Sequence, residues 1–229
     1  MKIGLLADIH GNSDALKVVI DSLAKDDCSN LVIAGDLVGY YYDTNEVLKL
    51  LNPFNITFVK GNHEEMLSKI ICGDLDMDFV QQKYGSALQL CLQNLSKENL
   101  DFLISSPVNT NLKIDNLEIN VSHGTPLSVD EYVYPDAKEE QLDIFSEFSA
   151  QVFILGNTHH QMIKHYKDKL IINPGSVGQS RTNKSTSQWA ILETETLAVT
   201  FKSQKYDSSR IVRQSLEIDP NVPLLRKYF

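Results

Sequence analysis

Short apolar runs alternate with amphipathic segments along the first half of the chain. Residues 2–7 have the length of a buried strand, and residues 13–25 carry apolar side chains at helical spacing. The same order continues downstream, with predicted strands at 31–34 and 56–59 and predicted helices at 45–51, 64–71 and 80–95. Strands and helices in alternation are typical of an α/β fold.

The second half of the chain is richer in strand patterns. Residues 111–114 and 117–121 form a predicted hairpin around Asp115 and Asn116, and residues 138–148 a predicted helix. Further strands are predicted at 152–155, 162–166, 170–172, 189–192 and 197–201. This order indicates two packed sheets with helices outside. Because no repeat or Pro/Gly-rich linker interrupts the chain, we expect one domain over residues 1–229.

Five of the predicted strands end in polar residues and glycine. In chain order the motifs are Asp8-Ile9-His10, Gly35-Asp36, Gly61-Asn62-His63-Glu64, His123-Gly124 and Gly156-Asn157-Thr158-His159. Ligands of open α/β sheets bind at the carboxyl ends of strands, so we expect these side chains to meet. Asp, His and Asn donors without Cys suit Mn²⁺, Fe²⁺, Zn²⁺ or Mg²⁺. Since three or four ligands satisfy one ion, about seven donors indicate two ions with a shared ligand.

Each of these residues also has a simpler interpretation. Asp and Asn after a strand commonly cap helices or form turns, and a single His is more often hydrogen-bonded than bound to metal. The joint pattern favours the metal site, because independent capping would not place four of the six histidines directly after apolar strands.

The five motifs resemble, in order, the metal-binding motifs of the calcineurin-like metallophosphoesterases. The segments GDLVGYYYDTNEVL, SHGTPL and INPGSVGQSR are similar to a bacterial and archaeal branch of small phosphodiesterases. The resemblance implies an α/β fold built as a four-layer α/β/β/α sandwich, two mixed sheets flanked by helices. It also implies a metal-dependent phosphodiesterase or phosphatase that hydrolyses a small phosphoester or phosphoanhydride, with nucleotides among the candidate substrates.

The same resemblance assigns the metal ligands. Those of the first ion would be Asp8, His10, Asp36 and His159. Those of the second ion would be Asp36, Asn62, His123 and Asn157, with Asp36 shared. The implied cofactor is a pair of divalent ions (Mn, Fe, Zn, Ni or Mg, with Mn favoured). Such a pair lowers the pKa of a bridging water, and the resulting hydroxide attacks phosphorus.

Two departures from the family pattern qualify this assignment. Asn157 stands where the family usually has a histidine, and an amide oxygen is a weaker ligand for late transition metals. This favours a harder second ion or a partly filled second site, and it is the one feature that supports an alternative, an inactive protein-binding scaffold. After Gly35-Asp36 the chain has Val38-Gly39-Tyr40, whereas protein phosphatases of the family carry an Asp-Arg-Gly motif there, which argues against a phosphoprotein substrate.

Other residues beside the motifs have predicted roles. His63 directly follows a predicted ligand and is the candidate catalytic residue, either protonating the leaving oxygen or stabilising charge on phosphorus. Asn12 and Arg181 are predicted to bind substrate, although Asn12 could equally cap a helix and Arg181 could be a solvated loop residue. The three tyrosines at 40–42 could stack on a base or lie in the core.

Composition narrows the partners. With 21 Lys and Arg against 30 Asp and Glu, the net charge is −9, which disfavours long nucleic acids and anionic membranes. Three scattered cysteines and an N-terminus without a signal-peptide pattern predict a cytoplasmic protein with reduced thiols. The first strand lacks a following Gly-x-Gly-x-x-Gly, which excludes a dinucleotide-binding fold. The expected partner is a small phosphorylated substrate, and a homo-oligomer is left open.

Overall fold

Two five-stranded sheets form the centre of the protein, which we describe from a computed structural model covering residues 1–114 and 116–229. The strands are β1 (Lys2–Leu6), β2 (Asn30–Ala34), β3 (Asn55–Val59), β4 (Asn109–Ile114), β5 (Leu117–Ser122), β6 (Val152–Ile154), β7 (Gln161–Tyr166), β8 (Lys169–Pro174), β9 (Thr186–Glu193) and β10 (Ala198–Lys205). The hairpin of β4 and β5 is confirmed, but Asp115 in its predicted turn lies outside the described residues.

The described helices lie on the outer faces of the sheets. They are α1 (Ser13–Lys25), α2 (Thr44–Leu51), α3 (Asn62–Cys72), α4 (Met77–Tyr84), α5 (Ala87–Asn94), α6 (Lys97–Ser105), α7 (Glu139–Leu142) and α8 (Ser209–Ile218), with short 3-10 helices at Asp143–Glu147 and Pro223–Arg226. None of the helices in the described ranges is long and apolar enough to cross a membrane.

Both sheets are mixed. The first has the order β10-β9-β1-β2-β3, in which β1, β2 and β3 are parallel and β9 is antiparallel to both neighbours. The second has the order β4-β5-β6-β8-β7, in which β5, β6 and β8 are parallel and the two edge strands are antiparallel. Each sheet thus presents the carboxyl ends of three parallel strands on one edge.

Alternating side chains explain how the layers pack. Leu5 belongs to the apolar core between the two sheets, whereas its neighbour Leu6 packs against the helices. In the second sheet, Ile172 faces the inter-sheet core and Ile171 packs beneath the segment that contains α7. The four-layer α/β/β/α sandwich predicted by the resemblance is therefore confirmed.

Two predicted helices differ from the structure. The predicted helix at 80–95 is divided into α4 and α5, because Gly85 adopts a left-handed backbone (φ 86°) that ends the first helix. The predicted helix at 138–148 is one turn of α-helix followed by a 3-10 helix. Helices α6 and α8 were not predicted from the sequence pattern.

The last residues of the chain pack against the three adjacent tyrosines. The hydroxyl of Tyr41 donates to the carbonyl of Leu225 (3.3 Å), and the hydroxyl of Tyr42 donates to Asp219 (2.9 Å). Asp219 also accepts hydrogen bonds from the backbone and hydroxyl of Ser86. The C-terminal segment thereby fixes the loop that follows β2.

Candidate metal centre

The loops that follow the parallel strands converge where the two sheets meet. The imidazole of His123, after β5, donates from Nδ1 to the carbonyl of Ala34 at the end of β2 (2.7 Å). The backbone N–H of Asp8, after β1, donates to the carbonyl of Gly35 (3.1 Å). Hydrogen bonds between loops therefore bring the predicted ligands of both sheets to one place.

Five of the seven predicted ligands have a left-handed backbone. The φ angles are 53° at Asp8, 51° at His10, 57° at Asp36, 67° at Asn157 and 59° at His159. Non-glycine residues rarely adopt this conformation, which costs about 1–3 kcal/mol for each residue and clusters at functional sites. The left-handed conformation turns these side chains out of the strand direction and toward one another.

Hydrogen bonds from the loop after β8 stabilise the strained backbone conformation of Asp8. The carbonyl of Asp8 accepts from the backbone N–H of Gly178 (3.0 Å) and from the hydroxyl of Ser176 (2.8 Å). The backbone N–H of His10 donates to the carbonyl of Asp36 (2.9 Å), which ties the two turns together. The conformation of each turn therefore depends on its neighbour.

Backbone carbonyls orient three buried imidazoles. The pairs are His10 Nδ1 with Val38 O (3.0 Å), His123 Nδ1 with Ala34 O (2.7 Å) and His159 Nδ1 with Gln179 O (2.6 Å). Because a carbonyl only accepts, Nδ1 of each ring carries a proton. In the neutral ring, Nε2 then presents a lone pair, as in metal-binding histidines.

The predicted ligands of the first ion lie in contact. Nε2 of His10 is 3.3 Å from Nε2 of His159, and Oδ1 of Asp8 is 3.4 Å from the latter. Burial lowers the pKa of His10 to about 3, so both rings would be neutral and two lone pairs would face each other. Such a contact is stable with a cation between the rings, so the donor set fits a metal ion.

The predicted ligands of the second ion lie beside the first set. Oδ2 of Asp36 is 3.3 Å from Nε2 of His123 and 3.7 Å from Nε2 of His10. Oδ1 of Asp8 is also 3.9 Å from Nε2 of His123. Oδ1 of Asn62 is buried and has no hydrogen-bond partner in the described ranges. Both carboxylates thus face imidazoles from both predicted ligand sets.

Asn157 lies at the same centre. Its backbone N–H donates to Oδ1 of Asp8 (3.2 Å), and its Nδ2 donates to the carbonyls of Val129 and Glu131 (3.3 Å each). With Nδ2 held in this way, Oδ1 is the atom that remains available as a ligand.

The charges of the cluster also call for a cation. Burial raises the pKa of Asp8 to about 7. Burial opposes ionisation of Asp36 as well, but the neighbouring imidazoles, His123 foremost, outweigh it and hold the pKa of Asp36 below its usual range. Burial likewise opposes charge on His123, yet Asp36 and Asp8 raise its pKa to about 10. Two buried carboxylates therefore attract positive charge into this position, and a divalent ion would supply it.

His63 lies beside the ligand cluster. Its backbone N–H donates to Oδ1 of Asp36 (3.0 Å), and its ring centroid is 4.9 Å from that of His10. The ring atom Nδ1 is buried without a hydrogen-bond partner among the described residues, and burial lowers the pKa of the imidazole. His63 is thus close enough to act on a group bound at the centre.

The two predicted substrate-binding residues are placed differently. Burial raises the pKa of Asp8, and the charge of Arg181 offsets part of this rise, so the guanidinium lies within electrostatic range of the centre. Asn12 is buried and caps α1, accepting from the N–H of Ala15 (3.1 Å). Its amide donates to Gly178 and Tyr206 (2.8 Å each), so binding substrate through Asn12 would require one of these bonds to break.

Glu64 has a role that the sequence analysis missed. Its buried carboxylate accepts from the backbone N–H groups of Asp36 (3.0 Å), Val38 (3.0 Å) and Gly61 (2.8 Å). It therefore joins the Asp36 turn to the start of α3. The sequence signal that could have indicated this role is a glutamate three residues after a helix cap.

Comparison with known proteins agrees with this geometry. A family model, the calcineurin-like phosphoesterase superfamily domain, matches residues 1–197. The chain belongs to this superfamily. It is accordingly a metal-dependent phosphoesterase, and the residues gathered above form its candidate metal centre.

Relatives of this phosphoesterase cover most of its length. The uncharacterized protein MJ0912 of Methanocaldococcus jannaschii is 29% identical over 223 residues, which cover 90% of this chain and 88% of the relative. Phosphodiesterase MJ0936 of the same organism is 24% identical over 179 residues, covering 76% and 83%. A metallophosphoesterase structure from Sphaerobacter thermophilus aligns with a TM-score of 0.78 at 24% identity, covering 100% and 98%, and shares the fold.

A substitution at Gly61 tests whether the position of Asp36 matters for metal binding. A Cβ at Gly61 would clash with Oδ1 of Asp36, so Gly61→Ala should displace the carboxylate and strongly reduce the divalent metal retained per chain after dialysis. The matched control is Gly73→Ala at the other end of α3, where a Cβ meets nothing within 4 Å. Its left-handed backbone should cost about 1 kcal/mol of stability and leave metal content unchanged. A folded Gly61→Ala protein with full metal content would contradict the assignment.

Proposed function

We propose that this phosphoesterase hydrolyses a small phosphoester or phosphoanhydride at a centre of two divalent ions, with Mn²⁺ favoured. The observation that carries the proposal is the pair of buried carboxylates, Asp8 and Asp36, that faces three imidazoles oriented by backbone carbonyls. The first ion would be held by Asp8, His10, Asp36 and His159, and the second by Asp36, Asn62, His123 and Asn157. Bound ions would neutralise phosphate charge and lower the pKa of the attacking water, which then reacts as hydroxide.

His63 is the proposed catalytic residue. It is buried beside His10 and makes no metal contact in the proposed ligand sets. A ring N–H there can donate to an equatorial phosphate oxygen or transfer its proton to the leaving oxygen. The hydrogen bond from its backbone to Asp36 keeps the ring beside the proposed metal ligands.

A nucleotide is the substrate class that best matches the surroundings. Tyr132 and Tyr134 stack with ring centroids 5.7 Å apart and planes 8° apart, and both remain partly exposed. Burial raises the pKa of Tyr132, and the charges of Arg181 and Asp36 also act on it, so Tyr132 lies within electrostatic range of the centre. Exposed aromatic rings bind bases by stacking, and an arginine can hold a second phosphate.

Metal removal tests the reaction itself. Protein loaded with Mn²⁺ should hydrolyse bis-p-nitrophenyl phosphate, and a chelator should stop turnover until Mn²⁺ is restored. Asp36→Asn should lower kcat by about 100-fold or more, because the shared ligand loses its charge. A wild-type protein without turnover on a phosphate panel with Mn²⁺, Fe²⁺, Ni²⁺ and Mg²⁺ would instead support the protein-binding scaffold.

Substrates with different leaving groups test whether His63 acts as the general acid. His63→Ala should keep its metal and lose about 100-fold or more on an ester with a poor alkoxide leaving group. With p-nitrophenolate, which leaves without a proton, the loss should be much smaller if His63 is the acid. The control is His165→Ala, an exposed residue of β7, which should retain wild-type rates. Full activity of His63→Ala on the poor leaving group would overturn the assignment.

Nucleotide recognition is tested with two esters that share one leaving group. We expect a preference for the p-nitrophenyl ester of thymidine 5′-phosphate over methyl p-nitrophenyl phosphate. Tyr132→Ala should reduce this preference by roughly 10-fold, as loss of base stacking does. The control is Tyr166→Ala, at the end of β7 remote from the centre. An unchanged preference in Tyr132→Ala would argue against base stacking on this residue.

A further inference from the structure

The three adjacent tyrosines after β2 differ in how their hydroxyls are bonded. Tyr41 donates to the carbonyl of Leu225 and accepts from Nε2 of Gln179 (3.0 Å), and Tyr42 donates to Asp219. The hydroxyl of Tyr40 makes no hydrogen bond within residues 1–114 and 116–229, although only 6% of this residue is exposed. The hydroxyl oxygen itself is not fully enclosed by protein atoms, so it stays open to solvent and can bond to a ligand that reaches it.

The backbone holds Tyr40 against the metal centre. Its φ angle is 55°, a left-handed value that is a real outlier for a bulky aromatic residue. The following N–H, that of Tyr41, donates to the carbonyls of His10 (3.1 Å) and Gly39 (2.7 Å), which fixes the turn. Backbone outliers of this kind cluster at functional sites, and this one lies beside the proposed metal ligands.

The ring of Tyr40 is packed among the residues of the centre. Its centroid is 4.5 Å from that of His10 and 4.8 Å from that of His63, and Tyr84 lies at 5.9 Å. A ligand at the centre would thus meet Tyr40 on the side where His63 lies. Phenols are protonated at neutral pH, so the hydroxyl is a donor for an anionic oxygen.

We propose that Tyr40 is a substrate-binding residue whose hydroxyl donates a hydrogen bond to a non-bridging oxygen of the bound phosphoryl group. This inference rests on the proposed phosphoester hydrolysis. It gives the site a neutral donor in addition to any bound cations, at an oxygen where charge would increase during attack on phosphorus. Hydrogen bonds to charged acceptors are roughly twice as strong as neutral ones, so loss of the hydroxyl should be measurable.

Tyr40→Phe tests the hydroxyl and keeps the ring. In Mn²⁺-loaded protein, kcat/KM for bis-p-nitrophenyl phosphate should fall about 10- to 100-fold, and the inhibition constant of inorganic phosphate should rise about 10-fold. Metal content should not change. The matched control is Tyr42→Phe, whose hydroxyl is bonded to Asp219: it should lower the melting temperature while kcat/KM stays within about twofold.

The outcomes separate this inference from the proposed function. An active wild type with an unchanged Tyr40→Phe overturns the inference and leaves the function standing. Loss of manganese from Tyr40→Phe also overturns it, since Tyr40 would then act by supporting His10. If the wild type shows no turnover, calorimetry with inorganic phosphate still decides. Weaker binding to Tyr40→Phe supports the contact, and equal binding, or none to the wild type, overturns it.

Discussion

The rest of the structure depends on two carboxylates that are buried side by side. Asp8 and Asp36 lie at the carboxyl ends of adjacent parallel strands, almost without solvent, and both approach the same imidazole of His123. Burial of negative charge is costly unless positive charge is close. The neighbouring imidazoles supply part of this positive charge, and bound divalent ions would supply the rest. We therefore expect metal binding to stabilise the folded conformation of these loops.

The backbone is strained at the residues that bring the two carboxylates together, and hydrogen bonds from the surrounding structure stabilise it. Left-handed residues at the ends of β1 and β2 are held by each other's carbonyls and by the loop after β8. Glu64 joins the Asp36 turn to α3, and the C-terminal segment fixes the loop that contains Tyr40. The sandwich supplies rigid strands on both sides. Both sheets thus contribute to the centre, and neither sheet alone contains all of the proposed ligands.

Much of this could be predicted from the sequence, because strand ends and ligand motifs are local patterns. The motifs with Asp8 and His10, Gly-Asp and Gly-Asn-His indicated, through their family resemblance, the fold and the proposed ligands that the structure brings together. The break at Gly85 and helix α8 were missed, since one glycine overrides a continuous apolar pattern and the helix is mostly polar. The sequence could not distinguish Tyr40 from Tyr41 and Tyr42. The difference lies in which hydroxyls bond to residues far away in the chain, and a local sequence pattern does not predict such contacts.

Calorimetric titration of metal-free protein with Mn²⁺ tests the central claim most directly. Two sites per chain are predicted, the second weaker because Asn157 replaces an imidazole, and Asn157→His should tighten only the weaker one. Asp36→Asn should weaken both, because its carboxylate faces His10 and His123 alike. A single site in the wild type, or two undiminished sites in Asp36→Asn, would contradict the account of a shared carboxylate between two ions.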